Sequence, residues 1–535
     1  MGMSLSPMFQ ATLGSQDVAQ SAVNIPEIDW QAISPVVVVF VAACLSVLVE
    51  AFLPRERRWS VQVTLSLLTV VVAGLALGLY VNSDAVVGTG GITVAGQAVP
   101  LFSADYPALF LWGTLLALSF GALLLIADRS VDGGAFASPV PPAPGGDPVQ
   151  YQAPGRQTEV FPLALFALGG MMVFLAANDL LTMFVALEVL SLPLYLMCGL
   201  ARRRRLISQE SAVKYFLLGA FSSAFFLYGL ALLYGYAGSV RLVDIAAATA
   251  GTDRPETLLY AGFGLLVVGL LFKASIGPFH AWTPDVYQGA PTPVTAFMAA
   301  CTKVAAFGAI LRVLTLAFEA SSWEWRGVLW AVAIVSMLIG AVLGLTQTDM
   351  KRMIAYSSIA HAGFLLVGAI AMTEDGLSGT MFYLLAYGFT TLAAFGIITL
   401  VRDGNGEATH LSQWAGLAKR SPLVAVTFAF LLLALAGIPM TSGFMGKLAV
   451  FSAAIADGMA PLVVVALLAS AIAAFFYLRV IVLMYFSEPA QDGPTVSVPG
   501  AFTTAAITLG VVVTLLLGVL PAFALDWASV GGFVS

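Results

Sequence analysis

Charge is scarce in this chain. Only 10% of its 535 residues are Asp, Glu, Lys or Arg, while hydrophobic residues reach 60% and the mean hydropathy is +0.95. Soluble domains carry about 25% charged residues, so a set of soluble domains is excluded. The net charge is −6. There is no long basic stripe, and nucleic-acid binding is excluded with it. Cysteine is equally sparse: Cys44, Cys198 and Cys301 lie far apart inside apolar runs. They offer no disulfide framework and no CxxC spacing for a metal or an iron–sulfur cluster. Gly-rich nucleotide-binding turns, phosphate-binding loops and haem signatures are also missing. Nothing visible carries electrons or hydrolyses ATP. Residues 1–33 contain no Lys or Arg, so no signal peptide is predicted there.

What the chain has is apolar length. A helix needs about 20 apolar residues to cross a bilayer. Fourteen runs qualify, near 34–53, 60–81, 104–127, 160–177, 180–200, 211–236, 256–288, 291–317, 326–346, 350–372, 377–401, 421–457, 461–486 and 500–523. Lipid cannot satisfy open backbone groups, so these runs are predicted to be helices. The fold class is therefore an all-α polytopic membrane protein with about fourteen spans. The expected divisions are an extracytoplasmic segment 1–33, three helices over 34–127, a Pro- and Gly-rich loop over 128–159, two blocks at 160–317 and 326–486, and a last helix at 500–523.

Basic residues give the orientation. Alternate loops hold Arg55, Arg57, Arg58, Arg129, Arg156, Arg202, Arg203, Arg204, Arg205, Lys351, Arg352, Arg402, Lys419 and Arg420. The opposite loops hold only Arg241, Arg254 and Arg326. The positive-inside rule then puts the first set in the cytoplasm, the 128–159 loop included, and both termini outside.

Six basic residues fall inside predicted spans: Lys214, Lys273, Lys303, Lys447, Arg312 and Arg479. The chain has 17 Arg and six Lys, and four of those lysines are intramembrane. Arginine never gives up its proton usefully, whereas a desolvated lysine can. Glu188 adds a carboxylate eight residues into span 5, about 12 Å deep. Lys303 lies ten residues past Pro293, about 15 Å into span 8. Each central charge costs about 2.5–3.5 kcal/mol on insertion scales, so Glu188 and the four lysines together cost on the order of 10–15 kcal/mol before pairing. Such groups read as an ion or proton path. Lys214 sits near the end of its span, and Arg312 and Arg479 read as anchors or fixed counter-charges.

Spans 7 and 12 are too long for one straight helix and carry breakers, Gly277-Pro278 and Gly437-Ile438-Pro439, beside Lys273 and Lys447. Proline removes a donor and clashes with the preceding turn. Freed backbone at membrane depth must face protein or a wet cavity. Broken helices in corresponding places of two halves point to an ion site. The breaks are five spans apart, so spans 4–8 and 9–13 are predicted to be inverted five-helix repeats. His361, and less strongly His280, add groups that titrate near neutral pH.

The run from Phe272-Lys273 through Pro278-Phe279-His280-Ala281-Trp282-Thr283-Pro284-Asp285-Val286-Tyr287-Gln288-Gly289-Ala290-Pro291-Thr292-Pro293-Val294 strongly resembles the span 7–8 signature of the antiporter-like membrane subunits of respiratory complex I (NADH:quinone oxidoreductase). Asp349-Met350-Lys351-Arg352-Met353-Ile354-Ala355-Tyr356-Ser357-Ser358-Ile359-Ala360-His361 resembles the same family at span 10. The resemblance covers about residues 160–490. It implies that Glu188 pairs electrostatically with the lysine of span 6 or 7. It also implies that Lys214 and Lys273 form the loading side, Lys303 the connection, His361 a link onward and Lys447 the outlet. Whether Lys214 or Lys273 loads stays open. The family keeps NADH, FMN, iron–sulfur clusters and quinone in other subunits, so none is expected in this chain. The expected partners are other membrane subunits, antiporter-like and small, in a bacterial cell membrane. The expected function is redox-driven proton translocation. The alternatives are an Mrp-type cation/proton antiporter subunit, which sodium-dependent transport without NADH would mark, and a non-transporting structural subunit.

Overall fold

Each long apolar run keeps its backbone hydrogen bonds within one segment, as a bilayer demands. All fourteen spans are helical in the structure, a computed structural model that describes residues 27–82, 92–94, 97–99, 101, 103–130, 135–136, 157–201, 205–251, 256–403, 406–489 and 493–533. Spans 1 to 6 are Trp30–Phe52, Arg55–Val81, Tyr106–Ala127, Val160–Ala176, Leu180–Cys198 and Arg205–Ala237. Span 7 has two limbs, Glu256–Lys273 and Trp282–Gly289, and span 8 is Thr292–Ala317. Spans 9 to 11 are Ser322–Thr346, Met350–Ile370 and Glu374–Ile398. Span 12 again has two limbs, Pro422–Ala436 and Ser442–Ala456, and spans 13 and 14 are Ala460–Phe486 and Ala501–Val519. Among the described residues, twelve helices are long and apolar enough to cross a membrane unaided; span 4 and the limbs of span 12 are shorter. Residues 1–26, most of the 128–159 loop, Arg202 to Arg204 and Arg254 lie outside the described residues.

Both breaks fall where the sequence puts them. The first limb of span 7 ends at Lys273, and helix resumes only at Trp282. The first limb of span 12 ends on Gly437, whose φ of 83° is the left-handed conformation glycine adopts without strain. A Cβ there would sit 3.0 Å from the Lys447 side chain.

Three helices form the core. Span 8 is buried along its whole central window, and spans 10 and 11 over 94% of theirs. Spans 1, 2, 6, 9, 13 and 14 bury well under half and turn apolar faces outward. Shorter features escape the sequence pattern. Among the described residues they include a ten-residue helix at Leu242–Gly251, a terminal helix at Ala522–Ala528 and two small antiparallel sheets. One sheet joins β1 (Glu27–Ile28), β2 (Ile92–Val94) and β3 (Gln97–Val99) in that order; the other joins β5 (Gly406–Glu407), β4 (Val401–Asp403) and β6 (Thr495–Val496). Strands of two or three residues carry no readable alternation.

One local arrangement occurs twice. Before span 5, Leu180 N donates to Val240 O at 2.9 Å and Leu242 N to Asn178 O at 3.0 Å. Before span 10, Met350 N donates to Thr409 O at 2.7 Å and Leu411 N to Thr348 O at 2.8 Å. Asp179 and Asp349 each cap the helix that follows, accepting from Thr182 N and Arg352 N. A carboxylate there satisfies an open amide and suits the positive end of the helix. The two clasps are five spans apart, so alternate crossing puts them on opposite faces.

Candidate functional site: a row of buried amines and imidazole

The first limb of span 7 delivers Lys273 as its last helical residue, with the side chain 4% exposed. Its Nζ donates to Ser191 Oγ at 2.8 Å and to Tyr215 OH at 3.3 Å. The Tyr195 and Tyr215 rings lie 5.8 and 5.3 Å away, near enough for cation–π attraction. Tyr215 is stacked on Trp282, and Trp282 Nε1 donates to Phe272 O at 3.0 Å, so the aromatic wall is fixed to the break itself.

Lys303 follows a π-helical turn, Met298–Thr302, inside span 8. Such turns recur at functional sites. Lys303 Nζ donates to Ala274 O at 3.3 Å and to Ser358 O at 2.9 Å. Ala274 is the residue after Lys273, so the freed carbonyl of the first break meets the next lysine. Ser358 carries the row into span 10, where His361 lies one turn on. His361 Nδ1 is 2.7 Å from Tyr383 OH and its Nε2 is 3.3 Å from Tyr477 OH. The Tyr387 ring stands between, 5.0 Å from the imidazole and 5.6 Å from Lys303 Nζ. Lys447, on the second limb of span 12, donates to Leu435 O at 3.2 Å, Ala436 O at 2.8 Å and Ser470 Oγ at 2.9 Å. Those carbonyls are the last of the first limb, left open by the second break. All three lysines and His361 are buried.

Glu188 and Lys214 stand differently from the rest. Lys214 is 41% exposed and bridges Glu210 and Asp285, each at 2.6 Å. Arg352 holds the other oxygen of Asp285 at 2.6 Å. Among the described residues no direct ion pair joins Glu188 to Lys214 or Lys273, so the implied electrostatic pairing acts through space. Lys273 spends its hydrogen bonds on Ser191 and Tyr215, and Glu188 Oε1 is buried without a hydrogen-bond partner. Glu188 and Ser191 are three residues apart and share a helix face, which sets the carboxylate beside the Lys273 site. His280 lies in the first break, with Nδ1 unpartnered and its ring 6.4 Å from Tyr356.

Lys351, read in sequence as a loop anchor, is 3% exposed instead. It donates to Ala290 O at 2.9 Å and Thr292 Oγ1 at 3.0 Å, with Glu407 Oε2 at 3.7 Å. Arg312 is a fixed counter-charge. It meets Asp105 and Asn178 at 2.7 Å each and Leu175 O at 2.9 Å, with no exposure. Arg479 lies on the exterior and donates to Leu345 O. Sequence reasoning also missed Ser191, Tyr215, Ser358, Tyr383, Tyr387 and Tyr477; Ser358 alone stood inside a quoted motif. Among the described residues, no group of three or more His, Cys, Asp or Glu could hold a metal ion.

A broken-helix bundle threaded by buried lysines belongs to the membrane proteins that move ions. The family described as NADH:quinone oxidoreductase/Mrp antiporter, transmembrane, matches residues 177–473, and the chain belongs to it in its NADH-quinone oxidoreductase subunit N branch. NADH-quinone oxidoreductase subunit N of Saccharopolyspora erythraea is 76% identical over 96% of this chain and 100% of its own length. That of Acidothermus cellulolyticus is 58% identical over 95% and 97%. Among solved structures, a chain of respiratory complex I from Thermus thermophilus with bound aureothin is 31% identical. It aligns with a TM-score of 0.73 over 93% of this chain and all of its own. A chain of the Mrp complex from Dietzia shares the fold, with a TM-score of 0.76 at 22% identity over 94% and 97%.

Proposed function

We propose that the chain translocates protons as a membrane-arm subunit of NADH:quinone oxidoreductase in a bacterial cell membrane, with both termini outside. NADH, FMN, the iron–sulfur clusters and quinone belong to partner subunits. Redox chemistry there drives the protons here. One observation carries the reading: Lys273, Lys303, His361 and Lys447 form one buried row, and the carbonyls opened by the two breaks bind two of its lysines.

Lys273 is the loading residue, because Lys214 is half-exposed and held by two carboxylates. Glu188 is its switch. A carboxylate moving toward an ammonium holds its proton, and one moving away releases it. Driving one charge against 100 mV costs about 2.3 kcal/mol, which is within reach of such a displacement. Lys303 passes the proton between halves, His361 links it onward and Lys447 hands it out. The duplicated clasp at Asp179 and Asp349 supports spans 4–8 and 9–13 as inverted repeats. Neighbouring antiporter-like and small membrane subunits are the partners.

The test is Lys273→Met in the assembled complex. Assembly is checked by native gel, and quinone-linked NADH oxidation is measured together with proton pumping. Both activities are expected to fall with assembly intact, and Glu188→Gln is expected to impair pumping in the same assay. Unchanged activities in an intact Lys273→Met complex would overturn the loading role.

A further inference from the structure

The arrangement around Arg312 occurs twice, but only once is it complete. Arg312, near the end of span 8, donates from Nε to Leu175 O at 2.9 Å, and Leu175 is the penultimate residue of span 4. Arg479, near the end of span 13, donates to Leu345 O at 3.1 Å, and Leu345 is the penultimate residue of span 9. Leu175 and Leu345 stand three residues before Asn178 and Thr348, whose carbonyls close the two clasps. Spans 8 and 13 are five apart, as spans 4 and 9 are. The two arginines therefore hold equivalent places, one at each face of the membrane.

Their surroundings differ. Arg312 also meets Asn178 Oδ1 and Asp105 Oδ1, each at 2.7 Å, and has no exposure. Asp105 comes from outside the repeat. It caps span 3, accepting from Ala108 N at 3.1 Å, and span 3 packs on spans 4 and 8. Span 8 is buried along its central window, whereas its counterpart span 13, and span 9, the counterpart of span 4, each bury 39% of theirs. Arg479 is exposed, and among the described residues Leu345 O is the one acceptor it meets. A guanidinium has five N–H donors, so all but one of its own stay open. Around it Leu338 and Val342 of span 9 and Phe475, Leu478 and Val482 of span 13 are 41–66% exposed. Apolar side chains alone would suit lipid tails. A charge on a membrane span is expensive and almost always paired.

We infer that this flank of spans 9 and 13 is the docking surface of a neighbouring membrane subunit, which supplies to Arg479 the carboxylate that Asp105 supplies to Arg312. The internal symmetry states its geometry. Asp105 caps a helix that enters from the outer face, so the missing group is an Asp or Glu at the start of a transmembrane helix entering from the cytoplasmic face. A carboxylate matches a guanidinium with two parallel N–H···O bonds. A lipid phosphate offers similar acceptors, but in the complete copy the counter-charge is protein. The inference rests on the chain working in a multi-subunit complex with inverted repeats, and not on its moving protons.

The test uses the whole complex. Arg479→Glu is expected to release the neighbouring subunit, read as its loss from the complex on a native gel after mild detergent, while Arg479→Lys keeps it. If the Arg479→Glu subunit fails to insert, Arg479→Gln decides by the same readout. A photoreactive phenylalanine analogue introduced at Leu478 is expected to cross-link to that subunit beside a carboxylate at the cytoplasmic start of a helix. Changing that carboxylate to Arg is expected to bring the subunit back in the Arg479→Glu complex. An Arg479→Glu complex that stays whole would overturn the inference, as would a reversed pair that restores nothing. So would a photoproduct made with lipid alone. That last result, with phosphatidylglycerol vesicles stabilising the parent but not Arg479→Gln, would give the site to a phosphate headgroup. Pumping by the intact parent is a separate readout, so losing the dock leaves the proton-moving reading standing.

Discussion

In span 7 the carbonyl opened by the break, Ala274 O, is bound by Lys303 of the next span, and the Gly277 amide donates to Ser336 of span 9. Ser336 in turn donates to Ile359 O of span 10. In span 12 the opened carbonyls of Leu435 and Ala436 are bound by Lys447 of the same span, helped by Ser470 of span 13. One break is tied across the two halves of the chain, and the other closes on its own continuation. Both meet the rule that buried backbone must be satisfied, but only the first is hydrogen-bonded across the two halves. On the proposed reading, coupling between the halves is expected to run through the break of span 7.

That contrast can be broken most forcefully at the lysines. Lys303→Met removes the bonds to Ala274 O at the break and to Ser358 O of the other half and is expected to lower NADH-driven pumping by about 10²-fold or more, in the range of a lost acid–base group. Lys447→Met disturbs one half only and is expected to cost less in the same membranes. A larger loss from Lys447→Met would reverse the assignment of coupling to span 7. Next come the serines. Ser336→Ala leaves a buried amide open and is expected to destabilise the assembled subunit by about 1–3 kcal/mol. Ser470→Ala leaves Lys447 its two carbonyls, and about 1 kcal/mol or less is expected. Thermal unfolding of the two solubilised complexes measures the gap, and equal shifts would mean that the breaks are equally local. The smallest effect is expected from Lys214→Met. Its ion pairs are half-exposed, a class worth about 0–1 kcal/mol, and Arg352 still holds Asp285 on the far limb of span 7. Pumping close to that of the parent is expected, and a fall as deep as that from Lys273→Met would return the loading role to Lys214.

The spans and both breaks were legible because membranes leave few options: apolar length writes a helix, and Gly-Pro at its centre writes an interruption. Lys273, Lys303 and Lys447 were legible because a lysine at that depth is expensive. Hydroxyls are not. Ser, Thr and Tyr cost little in a helix that hides them, so Ser191 and Tyr387 gave no warning. Pairing was illegible for another reason. Asp105 and Arg312 meet across 207 residues, and no local pattern records that contact. Lys351 misled because it follows a helix cap in a basic loop motif; only the structure folds Ala290, Thr292 and Glu407 over it.

Arg312 has a consequence of its own. A pump works against the gradient it makes, and every stray conductance drains that gradient. At the end of span 8 a permanently charged guanidinium is held by a carboxylate, an amide and a carbonyl, with the Phe533 ring over it at 4.8 Å. Arginine does not trade its proton, and the surrounding seal keeps water away from it. Buried and bonded on three sides, this charge is expected to act as insulation.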